Sequence, residues 1–188
     1  MTATLPVITE RQSPHYDDRP QAETVSLLVI HNISLPAAEF SKVPQHSYID
    51  ALFMGELDCT AHPSFGGLAG VRVSAHCVIW RDGSIFQYVP FAKRAWHAGV
   101  SSFAGRERCN DFSIGIELEG TDNLPYTDQQ YKSLINLTLM IMQRYPTITP
   151  ERIAGHCDIA PGRKTDPGTA FDWMRYRDAI KSALKKPI

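Results

Sequence analysis

No stretch of this 188-residue sequence approaches the roughly 18 consecutive apolar residues that a membrane-crossing helix needs. Charge of one sign is also missing. The formal net charge is −1, too small for a field that would recruit nucleic acid or an anionic membrane surface. Cysteine is scarce, with four residues at 59, 77, 109 and 157. No pair forms CxxC, and the gaps do not resemble the framework of a small disulfide-stapled domain. Cys109 and Cys157 are read as free thiols in a reducing compartment. The opening MTATLPVITERQSPHYDDRP lacks a basic start followed by an apolar run, so no secretory leader is expected and a cytoplasmic location is. Internal repeats and low-complexity tracts are absent as well.

What remains is an ordinary soluble composition, 43% hydrophobic and 21% charged, long enough for one domain with a real core. Residues 1–22 are polar and contain proline, and read as an N-terminal arm; residues 23–188 read as a single domain. Residues 26–30 form a short continuous apolar run, a buried strand that His31 ends. Residues 34–70 are rich in proline and glycine and read as a long loop with a helical turn or two at 47–53. Asp82-Gly83 between the apolar runs 72–80 and 84–89 predicts a hairpin. Residues 112–119 alternate, with Phe112, Ile114, Ile116 and Leu118 on one face, which predicts a strand buried on that face. Thr127 with Gln130 fits a capping box, and Tyr126 and Tyr131 a hydrophobic staple, at the start of an amphipathic helix that Pro146 stops. Trp173, Tyr176, Ile180 and Leu184 mark a C-terminal helix. The expected class is α/β, a single domain with a mixed central sheet flanked by helices.

Three residues suggest chemistry. His31, His156 and Asp166 supply two imidazoles and a carboxylate, the donor set of a zinc site with one position left open. Zinc held this way lowers the pKa of a water to about 7, which points to a hydrolase. A lone histidine is more often a hydrogen-bonded structural group, and the spacing of these three is no self-sufficient pattern. Lys164, two residues before Asp166, would share its side if the segment is extended and would then stabilise an oxyanion. Glu117 and Glu119 lie on one strand face, and either would serve as acid and base. Spacing does not choose between them.

The segments SLLVIHNIS, RVSAHCVIWRDGSIFQYVP, KRAWHAGVSSF, GRERCNDFSIGIELEG and AGHCDIAPGRKTDPG resemble, in the same order, the zinc-dependent N-acetylmuramoyl-L-alanine amidases of type 2. That fold is shared with peptidoglycan recognition proteins. The likeness covers about residues 12–178 and is strongest to the cytoplasmic AmpD-type branch, which acts on 1,6-anhydro-N-acetylmuramyl-L-alanine. The resemblance implies one zinc per chain on His31, His156 and Asp166, Glu117 as the acid/base and Lys164 as the transition-state stabiliser. It implies substrate-binding roles for Asn32, Trp96 and Leu118 along the sugar, and for Arg72 and Arg108 at the carboxylates of the stem peptide, where a guanidinium binds in bidentate fashion. His76 and His97 are left as second-shell or cleft residues. The implied reaction is hydrolysis of the lactyl–L-alanine amide of small anhydro-muropeptides during peptidoglycan recycling, with no nucleic-acid or membrane partner; the sequence leaves open whether the protein is a monomer. The competing readings are an amidase of polymeric peptidoglycan and a non-catalytic muropeptide-binding module.

Overall fold

The computed structural model describes residues 6–185. In chain order its elements open with β1 (Ile8–Glu10), β2 (Tyr16–Asp17), β3 (Leu27–Ile33) and α1 (Tyr48–Met54). The hairpin β4 (Cys77–Ile79) and β5 (Ile85–Gln87) follows, then the short strands β6 (Arg94–Ala95), β7 (Ser102–Phe103) and β8 (Arg106–Glu107). The chain closes with β9 (Ser113–Glu119), α2 (Asp128–Arg144), β10 (Ile153–Gly155), α3 (His156–Ile159) and α4 (Trp173–Leu184). Six strands make the central sheet, in the order β1-β5-β4-β9-β3-β10. Only the β4–β5 hairpin is antiparallel.

Alternation along β3 and β9 sorts the core. Leu28, Ile30, Ile114, Ile116 and Leu118 face α2 and α4 and pack with Leu134, Ile141, Tyr176 and Ile180. Leu27 and Val29 turn the other way, to Ala98, Cys109, Phe112 and Ile159. The α2 cap forms as expected: Thr127 Oγ1 accepts from Gln130 N, and Gln130 Oε1 from Thr127 N, both at 3.1 Å. Gln130 Nε2 also donates to Glu119 O at 2.9 Å and Ile79 O at 3.2 Å, which fastens the helix start to the ends of β9 and β4.

Three expectations change. All seven residues of β9 are buried, not one face only, because the segments around His97 and Asp166 cover the polar side. The strand that carries His31 runs on to Ile33, so His31 lies within a strand rather than at its end. Within the segment read as an arm, β1 is an edge strand of the sheet, and Ser13 and His15 are buried. Arg19 from the same segment donates to the carbonyls of Phe91, Asn110, Asp111 and Ser113 at 2.8–3.1 Å. Burial pushes its guanidinium down to about 10. The backbone acceptors of an interior loop explain this placement: they need donors, and a guanidinium offers five.

Candidate metal centre and active site

His31 sits on β3 directly beside Glu117 on β9 in the parallel register, so both side chains rise from the same sheet face. His156 opens α3 straight after β10, the other neighbour of β3. Asp166 returns from the loop after α3, and its carbonyl accepts from Cys157 N at 2.9 Å, which pins that loop beside His156. The site thus lies towards the carboxyl ends of neighbouring parallel strands, where α/β sheets commonly place ligands.

Three atoms converge. His31 Nδ1 and His156 Nδ1 are 2.9 Å apart, and Asp166 Oδ2 is 3.0 Å from each. Where each ring carries its proton on the outer nitrogen, only lone pairs face one another in this triangle, and hydrogen bonds do not satisfy it. His156 Nε2 has an acceptor of its own, Ala98 O at 3.1 Å, so its proton belongs there and Nδ1 keeps the lone pair. His31 Nε2 is likewise engaged, by His97 Nδ1 at 2.9 Å. Two neutral imidazole nitrogens and one carboxylate oxygen facing a common point fit a divalent metal of the zinc type, with both outer nitrogens fixed as metal-ligating histidines usually are. Burial pushes His31 down to about 4, which keeps its lone pair free at neutral pH.

Glu117 is buried, and its Oε2 has no hydrogen-bond partner among the described residues. Burial raises its carboxyl well above the ordinary value; the Asp166 charge adds to this and the Lys164 charge opposes it. Glu119 is buried too, and burial raises its carboxyl, but it has partners. Its carboxylate accepts from Ser41 N at 2.8 Å and Arg81 N at 3.2 Å, so it staples the 34–70 segment to the hairpin.

Lys164 is exposed and follows the turn after α3, its N–H bonded to Ala160 O at 3.1 Å. Its ammonium is nonetheless close enough to act on both His31 and Glu117. Leu118 is 1% exposed in the core behind the sheet, a correction to its place along the cleft: alternation turns it away from Glu117. Asn32 shares that alternation and donates to Asp122 Oδ1 at 2.8 Å and Pro167 O at 3.1 Å. Trp96 is half-buried, stacks on His15 and donates from Nε1 to Asp17 at 3.1 Å. Arg72 is exposed and has no ion pair among the described residues. Arg108 is 71% exposed, with Nε 3.1 Å from Asp111, whereas nearby Arg106 is held by Glu23 and by the Phe112 ring. Arg108 and Arg163 line a groove of about 500 Å³ beside Ala98 and His156, together with Val100, Ile159, Pro161 and Glu107.

His97, expected from the sequence near the ligands or in the cleft, contacts His31 directly, and Gly115 makes that possible, since a Cβ there would lie 2.5 Å from the His97 ring. The KRAWHAG segment carried a signal for His97. Nothing in the sequence pointed to Ala98, which acts through its carbonyl, or to Asn110 and Arg19, whose side chains bind backbone groups.

A donor triangle that could hold a metal, beside a buried carboxylate on a mixed sheet, suits a hydrolase. The chain belongs to the N-acetylmuramoyl-L-alanine amidase family, whose pattern matches residues 21–169. Within that family it is of the AmpD type. The 1,6-anhydro-N-acetylmuramyl-L-alanine amidase AmpD of Citrobacter freundii is 62% identical over 176 residues, 94% of this chain and 91% of the relative. A crystal structure of a selenomethionine AmpD derivative matches with a TM-score of 0.88 at 60% identity, covering 96% of this chain and 98% of that one. More distant is AmiD from Escherichia coli, solved in complex with the substrate anhydro-N-acetylmuramic acid-L-Ala-D-gamma-Glu-L-Lys. Its TM-score is 0.59 at 31% identity, over 86% of this chain and 60% of that one. The amidase fold expected from the motifs is the one found.

Proposed function

We propose that this amidase is zinc-dependent and hydrolyses the amide between the lactyl group of 1,6-anhydro-N-acetylmuramic acid and L-alanine in small muropeptides. The observation that carries the reading is the lone-pair triangle of His31, His156 and Asp166, with an unpartnered buried carboxylate on the neighbouring strand. Zinc on these three residues supplies Lewis acidity and a lowered water pKa. Glu117 takes the proton of the attacking water and hands it to the departing amine of L-alanine; a carboxyl held above its ordinary pKa suits both steps. Lys164 places a positive charge where the amide oxygen becomes negative. The products are 1,6-anhydro-N-acetylmuramic acid and a free peptide.

Arg108, with Arg163 in the same groove, offers guanidinium groups to the stem-peptide carboxylates, and Arg72 a further one. Asn32 and Trp96 serve the sugar side. Four free cysteines, two of them buried, support a reducing cytoplasmic location. Soluble wall-turnover fragments are then the substrates, and peptidoglycan recycling the role.

The test uses purified protein and anhydro-N-acetylmuramic acid-L-Ala-D-γ-Glu-L-Lys, with products read by mass spectrometry in the presence of chelator and after zinc is restored. Purified polymeric peptidoglycan runs in parallel. Free tripeptide that chelator abolishes and zinc restores is the expected result. Release that survives chelation overturns the metal dependence, and faster release from the polymer overturns the substrate.

A further inference from the structure

Both ligand histidines lean on one dipeptide. His31 Nε2 meets His97 Nδ1 at 2.9 Å, and His156 Nε2 meets Ala98 O at 3.1 Å. If His31 and His156 present Nδ1 lone pairs to the metal, each Nε2 carries a proton, and the acceptors are the side chain of residue 97 and the carbonyl of residue 98. His97 must then be an acceptor at Nδ1 and a donor at Nε2, and Ser113 Oγ lies 3.1 Å away to accept.

Both N–H groups of the dipeptide in turn hang on one side chain, while Arg163 donates to its Ala98 carbonyl at 2.6 Å. Asn110 Oδ1 accepts from His97 N at 3.1 Å and from Ala98 N at 2.8 Å. Both partners are N–H donors, so the oxygen of the carboxamide must face them. The Asn110 carbonyl is itself held by Arg19 at 3.1 Å. His97–Ala98 belongs to no element of the central sheet, so these two bonds do for it what a ladder would do for a strand.

We propose that Asn110 is a positioning residue for the metal centre: by fixing the His97–Ala98 backbone it sets the orientation and tautomer of both ligand histidines at once. It touches neither metal nor substrate. The inference rests on the metal-centre reading above. Outer groups that orient single ligands typically change metal affinity about 10–100-fold when lost. Asn110 governs two ligands through one group, so its loss should fall at the upper end of that range.

The experiment is zinc affinity by competition with a chromophoric chelator, for the wild-type chain, Asn110→Ala and Asn110→Asp, with the thermal midpoint of each metal-free protein measured alongside. Wild type is expected to bind one zinc, Asn110→Ala to bind about 100-fold more weakly, and Asn110→Asp, which keeps an acceptor for both N–H groups, to recover most of the loss. A purely structural role would lower the midpoint without this pattern of affinity and rescue. Equal affinity of Asn110→Ala and wild type overturns the inference and leaves the metal centre standing. Failure of wild type to bind zinc overturns the metal-centre reading itself, and this inference with it. A long-range ¹H–¹⁵N spectrum of zinc-loaded wild type gives a check that no variant's folding affects. His31, His156 and His97 should all be protonated on Nε2, and zinc on Nε2 of either ligand overturns the inference.

Discussion

Along β9, Ile114, Ile116 and Leu118 meet the apolar faces of α2 and α4, while Ser113, Gly115 and Glu117 alternate with them and meet the site. Both sides are buried to the same degree. On the helix side any close-packed apolar group satisfies its neighbours, so shape alone is at stake. On the site side each polar group needs one particular partner, and one carboxylate oxygen has none among the described residues. Burial without a partner is costly, and it persists here where a reacting molecule would supply the partner.

Substitutions on adjacent residues should separate the two sides. Glu117→Gln should lower kcat at saturating substrate by about 10²–10⁴. Its thermal midpoint should hold or rise, since a neutral amide costs less to bury than a carboxylate. Near-normal turnover would remove the acid/base role. Ile116→Ala, one residue away and facing α2, should do the reverse. A stability loss of about 2–5 kcal/mol in a denaturant titration should accompany unchanged kcat at low temperature.

Acid should attack the site side first. Burial, with Arg19 adding to it, pushes His76 down to about 3, and it bonds as a neutral ring to Gly115 N. The unfolded chain takes up that proton below about pH 6.5. Between these values the unfolded state binds more protons, so stability rises with pH there and is lost as pH falls. His31, down to about 4, adds to this in the metal-free protein. Denaturation midpoints of the metal-free chain should therefore decline from pH 6.5 towards 4. His76→Asn, which keeps an acceptor near the Nδ1 position, should flatten the decline. An unchanged slope would mean that His76 is not the group responsible.

The smallest effect belongs to Glu119→Gln. Two backbone N–H groups satisfy that carboxylate, so the change should cost about 1–2 kcal/mol and leave turnover unaltered. A large loss of activity would erase the distinction between the two glutamates.

Much of this comparison was legible as a string. Alternation at 112–119 marked the strand and its apolar face, Asp82-Gly83 the hairpin, and Thr127 with Gln130 the helix start, because each is a local rule of period or cap. The ligand trio was legible through donor chemistry and motif resemblance. The burial of the polar face of β9 was not, since what covers it comes from distant loops. Leu118 was placed along the cleft by motif resemblance, whereas the alternation of its own strand turns it into the core behind the sheet. Arg106 and Arg108 could not be ranked until Glu23 and Phe112 were seen to hold the first.

Local periodicity, turn chemistry and the inventory of donors are properties of neighbouring residues, so the order of the amino acids settled the α/β class, the places of β3, β9, the hairpin, α2 and α4, and which groups were available to hold a metal. Convergence belongs to the fold. His31 and His156 are 125 positions apart, and only the parallel pairing of β3 with β10 and β9 brings their nitrogens within 2.9 Å beside Glu117. The acceptors of the His97–Ala98 pair, a ring nitrogen and a carbonyl placed by Asn110, then decide which nitrogen each ligand presents, and a carbonyl carries no trace of that task in the sequence.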